Sequence, residues 1–146
     1  MTRTFKFLED VALADCAFEA TGDSLSELFE AAAWAVVEAM VDPATVQPRW
    51  QKSIHRQSTT LEDLLFEWVS DLVYLKDLEG VVFHEVTATV DRLESQGVWA
   101  LHGTLTGEPV DMQRHELRGD VKAVTKHLYE LRQEGTRWVA RIVLDV

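Results

Sequence analysis

The chain has 146 residues, enough to bury one domain's core. Its 25 acidic residues against 14 basic ones give a net charge of −11, which excludes a surface that grips nucleic acid by neutralising phosphates. That charge either keeps the chain soluble or meets a cation or a basic partner.

Taken in chain order, Thr4 to Leu8 alternates and carries two aromatics, as a first strand does. The segment MTRTFKFLED turns acidic before a signal-peptide core can form. Asp15 to Ala20 reads as a second strand, closed by the turn signal Thr21-Gly22-Asp23. Ser24 with Glu27 forms a capping box, and Leu28, Phe29, Ala32, Val36, Ala39 and Met40 recur at helical spacing behind it. Pro43 and Pro48 stop that helix. Trp50 to Ser58 is the next strand. Thr59 and Glu62 repeat the capping pattern for a second amphipathic helix, through Leu61, Leu64, Leu65, Trp68, Val69, Leu72 and Leu75 to a stop at Glu79-Gly80. Val81 to Leu93 and Val98 to Leu105 are strands, and Glu108 to Glu116 is a polar loop. Val121 to Leu131 and Arg137 to Val146 are the last two strands, joined at Gln133-Glu134-Gly135. The expected architecture is α+β, a single domain over residues 1–146, with two helices packed on one face of a mixed, mostly antiparallel β-sheet.

The chain contains no GxGxxG, Walker loop, HExxH or CxxC. Its five histidines, His55, His84, His102, His115 and His127, are scattered, and a strand histidine is most often a solvated surface group. The single cysteine, Cys16, excludes an intrachain disulfide and reads as a buried apolar thiol in a reducing compartment. No apolar run approaches the roughly 20 residues of a membrane span, so a soluble cytoplasmic protein is expected. No nucleophile–base pair is present, so no catalytic residue or organic cofactor site is expected.

Two acidic positions stand out. Asp15 opens an otherwise apolar strand, and the chain ends Ile142-Val143-Leu144-Asp145-Val146, a strand that runs to its last residue. One reading leaves Asp15 and Asp145 as separate solvated strand ends. The other makes the first and last segments sheet neighbours, so that Asp15, Asp145 and the α-carboxylate of Val146 converge. Their repulsion would then be relieved by a hard divalent cation with oxygen ligands. On pattern alone Lys122 reads as an outward strand lysine. On pattern alone His115 and Glu116 read as a loop that caps a strand.

Over nearly its full length the chain resembles the archease family. The resemblance is carried by FLEDVALADCAFEATGDSLSELFEAAAWA, LEDLLFEWVSDLVYLKDLEG, RHELRGDVKAVTKHLYEL and the terminal WVARIVLDV. It implies an accessory protein rather than an enzyme, one that promotes guanylylation and multiple turnover of an RtcB-type tRNA-splicing RNA ligase. It further implies that Asp15, Asp145 and the Val146 carboxylate bind a divalent metal, commonly calcium. Lys122 would then face the ligase, with His115 and Glu116 opening the same motif. One departure is plain. The family pattern E-H-T-A-D-x-G places a histidine and a threonine ahead of the aspartate, where this chain has Ala12 and Leu13, with Glu9 and Asp10 as acidic alternatives nearby.

Three function classes follow: a metal-binding activator of an RNA ligase; a chaperone or specificity modulator of another RNA-modifying enzyme such as a tRNA methyltransferase; and a small hydrolase using a metal-bound water between Asp15 and Asp145. The missing general base counts against the third.

Overall fold

Ser24 starts helix α1 (Leu25–Met40): its hydroxyl accepts the Glu27 amide at 3.1 Å, while the Glu27 carboxylate reaches back to the Asp23 amide at 3.1 Å. The expected face is buried, with Leu28, Phe29, Ala32, Val36 and Met40 all inside. Past Val41, Asp42 caps a short 3-10 turn, Pro43–Thr45. Helix α2 (Leu61–Glu79) begins one residue later than its sequence pattern indicated. Thr60, not Thr59, is the cap, accepting the Asp63 amide at 3.2 Å. Both threonines have an acid three residues on, so the local pattern fits either. The observed start puts Leu61, Leu64, Leu65 and Trp68 together in the core. Gly80 ends the helix in the left-handed region, φ 62°, as the Glu79-Gly80 stop requires.

The computed structural model describes residues 4–8 and 16–146. Strands β1 (Thr4–Leu8), β2 (Cys16–Gly22), β6 (Ala123–Glu134) and β7 (Arg137–Asp145) form one sheet in the order β1-β2-β7-β6. Strands β3 (Trp50–Ser58), β4 (Val81–Leu93) and β5 (Val98–Pro109) form a second in the order β3-β5-β4. The α+β class holds. The expected single mixed sheet is corrected to two sheets, and each pairing among the described strands is antiparallel. Hydrophobic alternation specifies which face of a strand is buried but not which strand it pairs with, so this division is invisible in the sequence.

The helices join the sheets. Helix α1 packs on β2 and β1 of the first sheet and runs along β4 of the second, while α2 packs on β6 and on β3. The outer edge of β4 is covered by α1 side chains: the Ala88 amide donates to Glu30 Oε2 and the Val90 amide to Ser26 Oγ, each at 3.0 Å. Arg56 of β3 grips α2 with a bidentate bond to Asp71 at 2.6 and 2.7 Å and a third bond to Glu67 at 2.8 Å. Trp68 lies fully buried over Gly103 of β5 and donates its indole N–H to the Phe29 carbonyl at 2.9 Å.

The terminal strand is central in its sheet. Val139, Ala140, Ile142, Val143 and Leu144 are all buried, so β7 is covered on both faces except at the half-buried Arg141, which interrupts the apolar run. Beside it, β6 slips register between Thr125 and Glu130, with Leu128 at φ 57°. The bulge turns Lys126 and Tyr129 onto Phe66 of α2. The Lys126 ammonium sits 4.5 Å from the Phe66 ring centre, and the Tyr129 hydroxyl donates to the Glu62 carbonyl at 2.7 Å.

Candidate metal and docking site

Strand β7 brings the end of the chain between the starts of two other strands. On one side Cys16 pairs with Leu144; on the other Ala123 pairs with Asp145. The Lys122 amide donates to the Asp145 carbonyl at 2.7 Å. The two residues that the sequence places far apart, Lys122 and Asp145, are thus joined at one end of the four-stranded sheet, and both are exposed. Val146 is 43% exposed beyond them. Lys122 stands just ahead of β6, which begins at Ala123, so its expected place inside a strand is corrected by one residue.

Asp15 lies outside the described residues, as do Glu9, Asp10 and Ala12. In sequence Asp15 directly precedes Cys16, whose partner Leu144 directly precedes Asp145. The donors at the chain end, Asp145 and the terminus, are oxygen ligands open to solvent, which fits a hard cation such as calcium. Among the described residues, no three His, Cys, Asp or Glu side chains converge on one point. Cys16 is half-buried, and burial pushes its thiol pKa up, so it does not offer a ready thiolate.

His115 and Glu116 belong to the segment between β5 and β6, and their roles separate. The His115 side chain is fully buried. Its Nδ1 accepts the Asp111 amide at 2.9 Å, which leaves Nε2 to donate to the Glu108 carboxylate. Glu108, itself buried, also takes a hydrogen bond from Arg114 and lies 3.8 Å from Arg49 Nε. The Arg114 guanidinium, with help from His115, holds the Glu108 carboxyl down at about 2 against the pull of burial. Glu116 is exposed. Its amide donates to Thr45 Oγ1 at 3.1 Å and its carbonyl accepts the Asp42 amide at 2.8 Å.

From there the segment is pinned along its length. The Arg118 amide donates to the Met40 carbonyl at 2.9 Å, and Lys76 of α2 donates to Asp120 at 3.1 Å and to the Val121 carbonyl at 2.6 Å. Lys122 is therefore delivered to Asp145 by a loop fixed to both helices. Glu108, Arg114, Lys76 and Asp120 escaped the sequence reading. A charged residue at a strand end or helix face gives no local sign that it will be buried or bridged. No helix among the described residues is long and apolar enough to cross a membrane.

Comparison with known proteins agrees with this architecture. Residues 5–146 match the Archease protein family (MTH1598/TM1083). The chain is 34% identical over 142 residues to protein archease of Methanothermobacter thermautotrophicus, covering 97% of this chain and 98% of that one. It is 33% identical over 134 residues to protein archease of Pyrococcus furiosus, covering 91% and 93%. The solution structure of Methanobacterium thermoautotrophicum protein 1598 superposes with a TM-score of 0.84 at 32% identity, over 97% of this chain and 98% of that one. The crystal structure of an archease, possible chaperone, from Thermotoga maritima shares the fold, with a TM-score of 0.63 at 20% identity over 95% of this chain and 96% of that one. With its family match spanning both sheets and both helices, and relatives this similar over nearly their whole length, the chain belongs to the archease family.

Proposed function

We propose that this protein is a metal-binding accessory protein that activates an RtcB-type RNA ligase, promoting its guanylylation and multiple turnover in tRNA splicing or RNA repair, and that it turns over no substrate itself. Family membership supports an accessory role to an enzyme partner. The observation that carries the finer reading is the Lys122–Asp145 bond at 2.7 Å, which gathers the loop motif and the carboxyl-rich chain end at one exposed tip.

Asp15, Asp145 and the Val146 carboxylate would hold the cation, calcium by its preference for oxygen ligands. When bound there, it supplies positive charge that stabilises developing negative charge on transferred phosphates. The chain's own residues do the rest. Asp145 holds Lys122 in place through its carbonyl, Lys122 and Glu116 present charge to the partner, and the buried His115–Glu108 pair, capped by the exposed Arg114, sets the course of the loop that carries them. The acidic surface steers the tip toward a basic nucleotide-binding cleft.

The test is multiple-turnover ligation by the cognate ligase with and without substoichiometric protein. Stimulation by wild type, its loss in folded Asp15→Ala and Asp145→Ala, and no ligation, hydrolysis or nucleotide turnover by the protein alone are the expected results. A folded Asp15→Ala that stimulates fully removes the metal mechanism and favours a chaperone or specificity modulator of another RNA-modifying enzyme, such as a tRNA methyltransferase.

A further inference from the structure

The outward face of the three-stranded sheet holds a pair that scattered sequence positions conceal. His55 of β3 and His102 of β5 are direct cross-strand partners in an unbroken ladder that runs from Trp50↔Gly107 to Ser58↔Trp99. Both are exposed, and their rings lie parallel within 6°, centroids 4.4 Å apart. Among the described residues neither ring is committed to a hydrogen bond. Asp91 and Gln57 flank the same recess, of about 320 Å³.

We propose that His55 and His102 form a binding site for a divalent transition metal of the zinc, copper and nickel class, distinct from the oxygen-ligand site at the other sheet's end. Directly opposed residues of an antiparallel pair have Cβ atoms about 4.5–5.5 Å apart, so two imidazoles there can share one ion with bonds of about 2.0–2.1 Å. Closing the stack onto an ion needs only ring rotation on a solvated face; the backbone register is already set. Imidazole nitrogen selects zinc, copper and nickel and leaves calcium and magnesium to carboxylates and carbonyls. No third His, Cys, Asp or Glu converges with this pair among the described residues, so water completes the coordination. Asp91, in the same recess, and the net charge of −11 draw cations to it.

The experiment titrates the full chain with Zn2+ by calorimetry and with Cu2+ by electron paramagnetic resonance, in excess Ca2+ and Mg2+ to saturate oxygen sites. Wild type should bind saturably, with nitrogen couplings from two imidazoles in the copper spectrum. His55→Ala and His102→Ala should each weaken binding by about tenfold or more, because the second imidazole acts as an intramolecular ligand. His127→Ala should bind as wild type. Both sheet variants should melt like wild type; His55→Gln and His102→Gln replace any alanine variant that does not fold. Binding unchanged in the sheet variants, a spectrum without two nitrogens, displacement by Ca2+, or no saturable binding overturns the proposal. None of these outcomes bears on ligase stimulation, which rests on the chain-end site of the other sheet.

Discussion

At the scale of single residues, Glu108 shows how one buried acid organises a segment that sequence motifs describe only as a loop. Its carboxylate is fed by Arg114 and His115, and its pKa falls from the usual 4.5 to about 2. A carboxyl with a depressed folded-state pKa contributes stability that is fully present above its unfolded value and is lost as pH falls through the folded one. Unfolding melts of wild type between about pH 4.5 and 2 should therefore show a progressive loss of stability. Glu108→Gln should be less stable near neutral pH, because Arg114 loses its hydrogen-bonded ionic partner and keeps only the longer pair with Asp111 at 3.7 Å, and should lack this part of the acid dependence. An unchanged slope in Glu108→Gln would assign the acid lability to other carboxylates. Lys122 and Asp145 are exposed, so alanine at either should leave stability within about 0.5 kcal/mol by urea unfolding. Ligase stimulation should fall most for Asp145→Ala and less for Lys122→Ala, since one is a proposed metal ligand and the other a docking charge.

At the scale of elements, helix starts and close packing give sharp expectations. Thr60 accepts the Asp63 amide, whereas Thr59 lies one position ahead of that cap. Thr60→Ala should cost about 1 kcal/mol of stability and Thr59→Ala less than about 0.5 kcal/mol, read by chemical denaturation. Equal costs at both positions would mean that the helix start is shared between them. The contact of α2 with the second sheet depends on a residue without a side chain. A Cβ on Gly103 would stand 2.5 Å from the Trp68 ring. Trp68 is fully buried and tied to the Phe29 carbonyl, so it has no room to yield. Gly103→Ala should destabilise by about 1–3 kcal/mol, with a matching shift in tryptophan fluorescence. Full stability in Gly103→Ala would show that the indole can move aside.

At the scale of the whole molecule, the chain end is where the inner strand β7 gives way to solvent, and in the proposed function it is the metal-binding tip. Leu144 is buried in an inner strand of its sheet, yet Asp145 and Val146 emerge into solvent one step later. Deleting Asp145 and Val146, or extending the chain with a C-terminal tag, should spare most of the fold while abolishing ligase stimulation. A tagged protein that stimulates as well as the untagged one would remove the terminal carboxylate from the mechanism. The net charge of −11 makes a second demand. Stimulation should decline as salt rises across the physiological range, where the screening length is about 8–10 Å, because the proposed docking brings an acidic tip to a basic cleft. Salt-independent stimulation would point to an apolar docking surface instead.

The amino-acid sequence by itself determined what depends on neighbours along the chain. Ser24 with Glu27, the apolar stripes of both helices and Gly80 act within one or two helical turns, so their patterns are readable without a fold. Family-wide motifs likewise marked Lys122, His115, Glu116 and the chain end as positions of interest. Only the tertiary structure decided which strands pair, because alternation fixes a buried face and leaves the partner open. It alone divided the seven strands of the described residues between two sheets and set β7 between β2 and β6. It joined Lys122 to Asp145 and stacked His55 on His102. It also buried His115 with Glu108, separating a histidine that braces a loop from the exposed Glu116 beside it. The choice of Thr60 over Thr59 belongs to the same class, since two equal local signals were resolved by where Leu61 and Trp68 find the core. Burial, strand register and charge pairing are sums over residues distant in sequence, and no local window of the chain contains them.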